Sequence, residues 1–143
     1  MKCKTVIDKT REEEVIIYAH ERNETVEAIE KLVLRSEFVL VGYSGKSAVR
    51  LEWSEVYCFT VEDNRVYAVT ENEKLQLKLR LYQIEELADN DFVKINQSCV
   101  ANIGYIKRFD ASISGTLRVV FKNGYTDYVS RRQLKTVKER LGL

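Results

Sequence analysis

Between residues 38 and 129 the chain never sustains one hydrophobic pattern for long. Short alternating or β-branched segments end repeatedly at Gly, Asn or Asp, and the chain contains no proline. A helical bundle needs apolar residues at three- and four-residue spacing over ten or more positions, which is absent here. The pattern suits short antiparallel strands joined by tight turns. Residues 38–43 and 48–51 flank Ser44-Gly45-Lys46, and residues 56–61 and 66–69 flank Glu62-Asp63-Asn64-Arg65. Residues 74–79 alternate strictly, as a half-buried strand does. Residues 92–95 and 105–109 read as brief strands. Residues 117–121 and 125–129 flank Asn123-Gly124, a hairpin signal whose turn is expected to hold both residues at positive φ.

Helices are few. Leu81, Ile84, Leu87 and Ala88 suit a short amphipathic one. Near the start, residues 14–19 (EVIIYA) and, more weakly, residues 5–7 read as strands, and Asn23 caps a helix carrying Val26, Ile29, Leu32 and Val33. At the other end, Ser130-Arg131-Arg132-Gln133 fits a capping box. Leu134, Val137 and Leu141 then form a buried stripe, and Gly142 closes the helix. The expected class is α+β and predominantly β. The expected division is a strand-strand-helix extension over residues 1–37, a candidate dimerisation element, and a β-rich domain over residues 38–143.

Charge narrows the function. The net charge is only +1, but residues 94–143 carry ten Lys/Arg against three Asp/Glu, a balance of +7, and residues 1–93 carry thirteen against nineteen, a balance of −6. A basic end behind an acidic front points to an anionic partner. No run approaches the length of a membrane span, and the first residues lack the apolar core of a signal peptide. Cys3, Cys58 and Cys99 are odd in number and show no metal-ligand spacing, which suits a reduced, cytoplasmic protein.

Enzymatic readings find little support. His20 is the only histidine, which leaves no His pair for a metal and no triad. Next to Glu21 it is a weak general-base candidate, more simply a surface residue. Gly45-Lys46-Ser47 resembles the end of a phosphate loop, but Leu40 stands where the first glycine belongs, and a strand pattern follows instead of a helix. Cys99, in an apolar stretch, reads as a buried structural thiol. No cofactor and no small-molecule substrate is expected.

Two clusters carry more. Arg131 and Arg132 stand at the expected helix start, where two guanidiniums beside the dipole's positive end are costly unless they serve an anion or the acceptor edge of guanine. A solvated helix face is the plain alternative. Asn96, Gln97, Ser98 and Asn102 crowd a turn between two strands. A surface Gln can grip adenine, while Ser and Asn can hold phosphates or simply shape the turn.

Residues 92–106 (FVKINQSCVANIGYI), followed by residues 117–121, by Lys122-Asn123-Gly124 and by residues 129–135 (VSRRQLK), resemble the signature of LytTR-type DNA-binding domains. The resemblance covers residues 38–143 and implies antiparallel sheets with short helices, whose loops enter successive major grooves of double-stranded DNA. Carried over by position, Asn64, Arg65, Gln97 and Arg132 would read bases. Ser98, Asn102, Arg131 and Lys135 would be phosphate or framework groups. Gln97 replaces a common Arg, which implies a different base preference. Residues 1–37 are too short for a receiver domain, so the resemblance is to the stand-alone type of transcription regulator. A homodimer and a regulatory protein or membrane partner are the further expectations. The competing reading is a non-enzymatic dimeric module that binds an acidic protein or a membrane-protein partner.

Overall fold

The computed structural model describes all 143 residues. A capped helix, α1 (Glu24–Ser36), is followed by strands β1 (Leu40–Ser44), β2 (Ser47–Leu51), β3 (Cys58–Glu62), β4 (Arg65–Val69) and β5 (Lys74–Leu77). Next come α2 (Leu81–Leu87), β6 (Phe92–Asn96), β7 (Cys99–Asn102), β8 (Ile106–Ala111), β9 (Leu117–Phe121), β10 (Thr126–Val129) and α3 (Leu134–Leu141). All strand pairs are antiparallel. Seven strands form one sheet in the order β2-β1-β5-β4-β3-β7-β6, and three form a second in the order β10-β9-β8.

Both faces of the larger sheet are covered, so its central strands are apolar on both sides. Phe59, Leu75 and Val100 point to one core, closed by Ile84 of α2 and by the Trp53 ring. Their neighbours Cys58, Cys99 and Ala101 point to the other core, shared with Val119 and Phe121 of the small sheet and Val137 of α3. Gly42 is needed where β1 crosses this packing: a Cβ there would lie 2.6 Å from Leu75 Cβ.

The turns explain the register, and one of them departs from expectation. The two-residue turn between β3 and β4 holds Asp63 at φ 50° and Asn64 at φ 62°, the double positive φ that matches strand twist. At Asn123-Gly124 only the glycine has positive φ, 87°. That loop spans Lys122 to Tyr125, with Phe121 N–H donating to Tyr125 O at 2.9 Å and Gly124 N–H donating to Phe121 O at 2.9 Å. Asn123 is recruited elsewhere: its Nδ2 donates to Thr70 O at 2.8 Å and its Oδ1 accepts from Tyr125 N–H at 2.9 Å.

Three further expectations are corrected. Residues 1–23 contain no strand; residues 14–19 pair with no other strand of the chain. The amide-rich turn is only Gln97-Ser98; residues 99–102 form β7, whose small apolar side chains fit between the two cores. The capping box at Ser130 does not form. Residues 130–133 make a separate turn, with Gln133 N–H donating to Ser130 O at 3.0 Å, and α3 begins at Leu134. Gly142 does close α3, in the left-handed conformation at φ 68°.

Helix α1 is capped by Asn23, whose Oδ1 accepts from Val26 N–H at 3.0 Å. It docks largely through polar contacts. Arg35 pairs with Asp89 and lies 4.4 Å from the Trp53 ring centroid, while Lys31 Nζ donates to Ala88 O at 2.9 Å. Of its apolar stripe only Val26 is buried. No helix is long and apolar enough to cross a membrane.

Candidate nucleic-acid interface

The ladder brings distant loops to one end of the molecule. At the end of β3, Val61 N–H donates to Ser98 O at 2.9 Å, which sets the Asp63-Asn64 turn beside the Gln97-Ser98 turn. Just past β10, Ser130 N–H donates to Ile95 O at 2.9 Å, which brings the Arg131-Arg132 turn alongside the end of β6. A register shift between Lys94 and Asn96 bends β6 where the chain turns.

Asn96 joins these pieces. It is 3% exposed. Its Nδ2 donates to Asp127 Oδ1 and to Tyr128 O, each at 2.8 Å, and its Oδ1 accepts from Ser98 N–H at 2.8 Å. One side chain therefore shapes the Gln97 turn and ties it to the strand that delivers Arg132. The sequence placed Asn96 in the amide cluster but offered no sign of this bridging role, because Asp127 is 31 positions away.

The expected residues separate by exposure. Asn64, Arg65, Gln97, Ser98, Arg131, Arg132 and Lys135 are all exposed. None of the four cations among them takes part in an ion pair. Asn102 does not join them. It is 7% exposed at the far end of β7, with Nδ2 donating to Val56 O at 3.0 Å and Oδ1 accepting from Gly104 N–H at 3.1 Å. Of the two roles expected for it, phosphate or framework, the geometry leaves framework.

The basic residues near α3 also divide. Arg131 Nη2 donates to Ser114 O at 2.8 Å and so braces the β8–β9 loop. Arg131 and Arg132 precede the helix rather than occupy its first turn, so a conflict with the helix dipole does not account for them. Arg140, expected as part of a basic face, donates to Phe92 O at 3.1 Å and staples α3 to β6. Arg118 is a cation that the sequence did not single out. It lies opposite Tyr128 on β10, is exposed and makes no ion pair. Its only sequence signal is alternation, with Val119 and Phe121 facing inward.

Cys58 and Cys99 are buried, and the hydrogen bond that the Cys99 thiol makes to Cys58, together with burial, pushes that thiol well above its ordinary range. The phenol of Tyr125 is pushed up to about 12 by burial, partly offset by a hydrogen bond with Thr60. A folded-state value above the unfolded one favours folding below pH ~10 and loses that contribution as pH rises through the folded value. Tyr125 is expected to ionise well above the ordinary phenol range in an absorbance titration, with unfolding accompanying it. Tyr125→Phe should shift that alkaline midpoint; an unchanged midpoint would refute the assignment.

Comparison with known proteins bears on this end of the molecule. The family model described as the LytTr DNA-binding domain matches residues 46–142. An uncharacterized HTH-type transcriptional regulator of Staphylococcus aureus strain NCTC 8325 is 36% identical over 146 residues, covering 100% of this chain and 99% of the relative. A counterpart in strain MSSA476 is 36% identical over 137 residues, covering 94% and 93%. Among solved structures, a LytTr DNA-binding domain of a Bacillus cereus response regulator superposes with a TM-score of 0.68 at 21% identity, covering 73% of this chain and 97% of that one.

Proposed function

Because this chain belongs to the LytTR family of DNA-binding domains, we propose that it regulates transcription by reading double-stranded DNA through three loops at one end of a β fold. It is a DNA-binding transcription regulator, which supports DNA over an acidic protein as its partner. One observation carries the loop reading: three turns far apart in sequence converge, all exposed, with Arg65, Arg131, Arg132 and Lys135 free of acidic partners.

The division of labour follows from chemistry. Arg132 suits the O6 and N7 acceptors of guanine, and Gln97 suits adenine through its paired donor and acceptor. Asn64 and Arg65 form the third reading point. Ser98, Lys135 and Arg118 hold phosphates, and their attraction is salt-sensitive because bound cations are released from DNA. Arg131 supports the site through Ser114 and adds its charge. The protein acts in the cytoplasm as a homodimer, with residues 1–37 holding the copies together, and two half-sites then mirror the two-fold axis.

The test is fluorescence-anisotropy titration of fragments selected from a genomic library. Retention of particular fragments at moderate salt is expected; equal retention of all fragments would overturn sequence-specific reading. Lys135→Ala is expected to weaken all sequences alike and to lower the salt slope by about 1. A loss confined to one base position would reassign Lys135 to base reading.

A further inference from the structure

The segment ahead of α1 has the properties of a strand without its partner. Residues 12–22 make no backbone hydrogen bond, and the chain runs without regular structure from Glu12 to Ala19 before bending at His20-Glu21. Its side chains nevertheless alternate. Val15, Ile17, Ala19 and Glu21 line a groove with Val26 and Glu30 of α1. The intervening Ile16 and Tyr18 are 60% and 91% exposed. An apolar extended segment with unpaired N–H and C=O groups is a template for another strand.

We propose that the missing partner is the same segment of a second copy, paired antiparallel about a two-fold axis that passes through Ile17. The apolar run of residues 15–19, centred on Ile17, selects this register, because only there does each of its side chains face another apolar one. With Ile17 opposite Ile17, Ile16 faces Tyr18, Val15 faces Ala19, Glu14 faces His20 and Glu12 faces Arg22. Each unlike pair occurs twice by symmetry, and Glu13 opposite Glu21 is the one acidic clash. Moving the axis one residue to Ile16 sets Tyr18 against Glu14 and Ala19 against Glu13. Moving it to Tyr18 sets Ile16 against His20 and Val15 against Glu21. Arg22 already bonds Glu30 at 2.6 Å and lies 3.6 Å from Glu27, but its five N–H donors leave capacity for Glu12. An isolated two-stranded ribbon is marginal in water. Here α1 of each copy backs it, so that Val15, Ile17 and Ala19 of both strands close over Val26.

The inference rests on the homodimer reading above and is independent of which residues touch DNA. The experiment uses the full chain with Cys3→Ser, since Cys58 and Cys99 are buried. Ile17→Cys should form an intermolecular disulfide on mild oxidation, whereas Glu13→Cys, whose two copies would lie far apart along the ribbon, should not. By sedimentation, the parent chain should be a dimer at micromolar concentration. Ile16→Pro combined with Tyr18→Pro should be monomeric and should bind a single half-site as tightly as the parent, because proline removes the N–H groups of the ladder without reaching the loops. A monomeric parent, a dimer that survives both prolines, or equal cross-linking at positions 13 and 17 would overturn the proposal. Loss of half-site binding by the parent chain itself would fall on the DNA-reading assignment instead.

Discussion

Arg132→Ala is expected to lower affinity for a selected site by roughly ten- to a hundredfold, the about 1–3 kcal/mol of a good bidentate base contact. The side chain is exposed, has no acidic partner and sits in a turn whose backbone is fixed from two directions. Ser130 N–H is bonded to Ile95 O, and Gln133 N–H to Ser130 O. Removing the guanidinium therefore leaves the turn in place, and the melting temperature should stay within error. The informative readout is discrimination. The variant should become indifferent to the base pair under Arg132 while remaining selective at the other positions. A uniform loss over all sequences, with only a shallower salt slope, would make Arg132 a phosphate contact. Unaltered affinity would remove it from the interface.

Asn96→Asp is expected to be the most damaging single-atom change near this site. The Nδ2 that donates to Asp127 and to Tyr128 O becomes an oxygen. At neutral pH a second carboxylate then faces the first in a nearly closed environment, which should cost about 3 kcal/mol. For a chain of this size that corresponds to a fall in melting temperature of roughly 10 °C. The pH dependence has a definite sign. The folded state raises the affinity of the introduced carboxyl for its proton, because the protonated acid can donate to Asp127 as the amide did. The variant's deficit should be small below the ordinary carboxylate range and should grow as pH rises through the folded-state value. DNA affinity should fall with it, since Ser98 and the strand leading to Arg132 lose their common anchor. A thermal scan at acidic and neutral pH decides the matter, and equal deficits at both would refute the bridging role.

Much of this end of the molecule was legible in the residues, for local reasons. Gly45 and the Asp63-Asn64 pair marked turns because few residues tolerate positive φ, and both turns occur where the pattern breaks. Gly142 marked the end of α3 in the same way. The misreadings are equally specific. Asn123-Gly124 looked like the tightest hairpin, but the Asn123 side chain bonds Thr70, 53 positions away. Ser130-Gln133 had the residues of a capping box, yet Ser130 N–H belongs to Ile95 across the sheet interface. Cys99-Val100-Ala101 looked like part of a turn because small residues carry little periodic signal, and only the two cores around them make β7. In each case a long-range hydrogen bond or packing surface outweighed a local preference.

The charge split shows the same boundary. Composition alone located +7 of balance in residues 94–143, and the LytTR-like motif gave that excess a partner and candidate contacts. The structure then sorted the charges into different tasks: Arg140 staples a helix, Arg131 braces a loop, and Arg132, Lys135 and Arg118 remain unpaired. By itself the sequence determined the strand and turn grammar, the β-rich class and the family, because these depend on side-chain alternation and φ preference over a few neighbouring residues. Only the tertiary structure decided which loops stand together, that Asn102 is buried while Gln97 is exposed, and that residues 12–22 make no backbone hydrogen bond. Those facts depend on hydrogen bonds and burial between segments dozens of positions apart, for which neighbouring residues carry no signal.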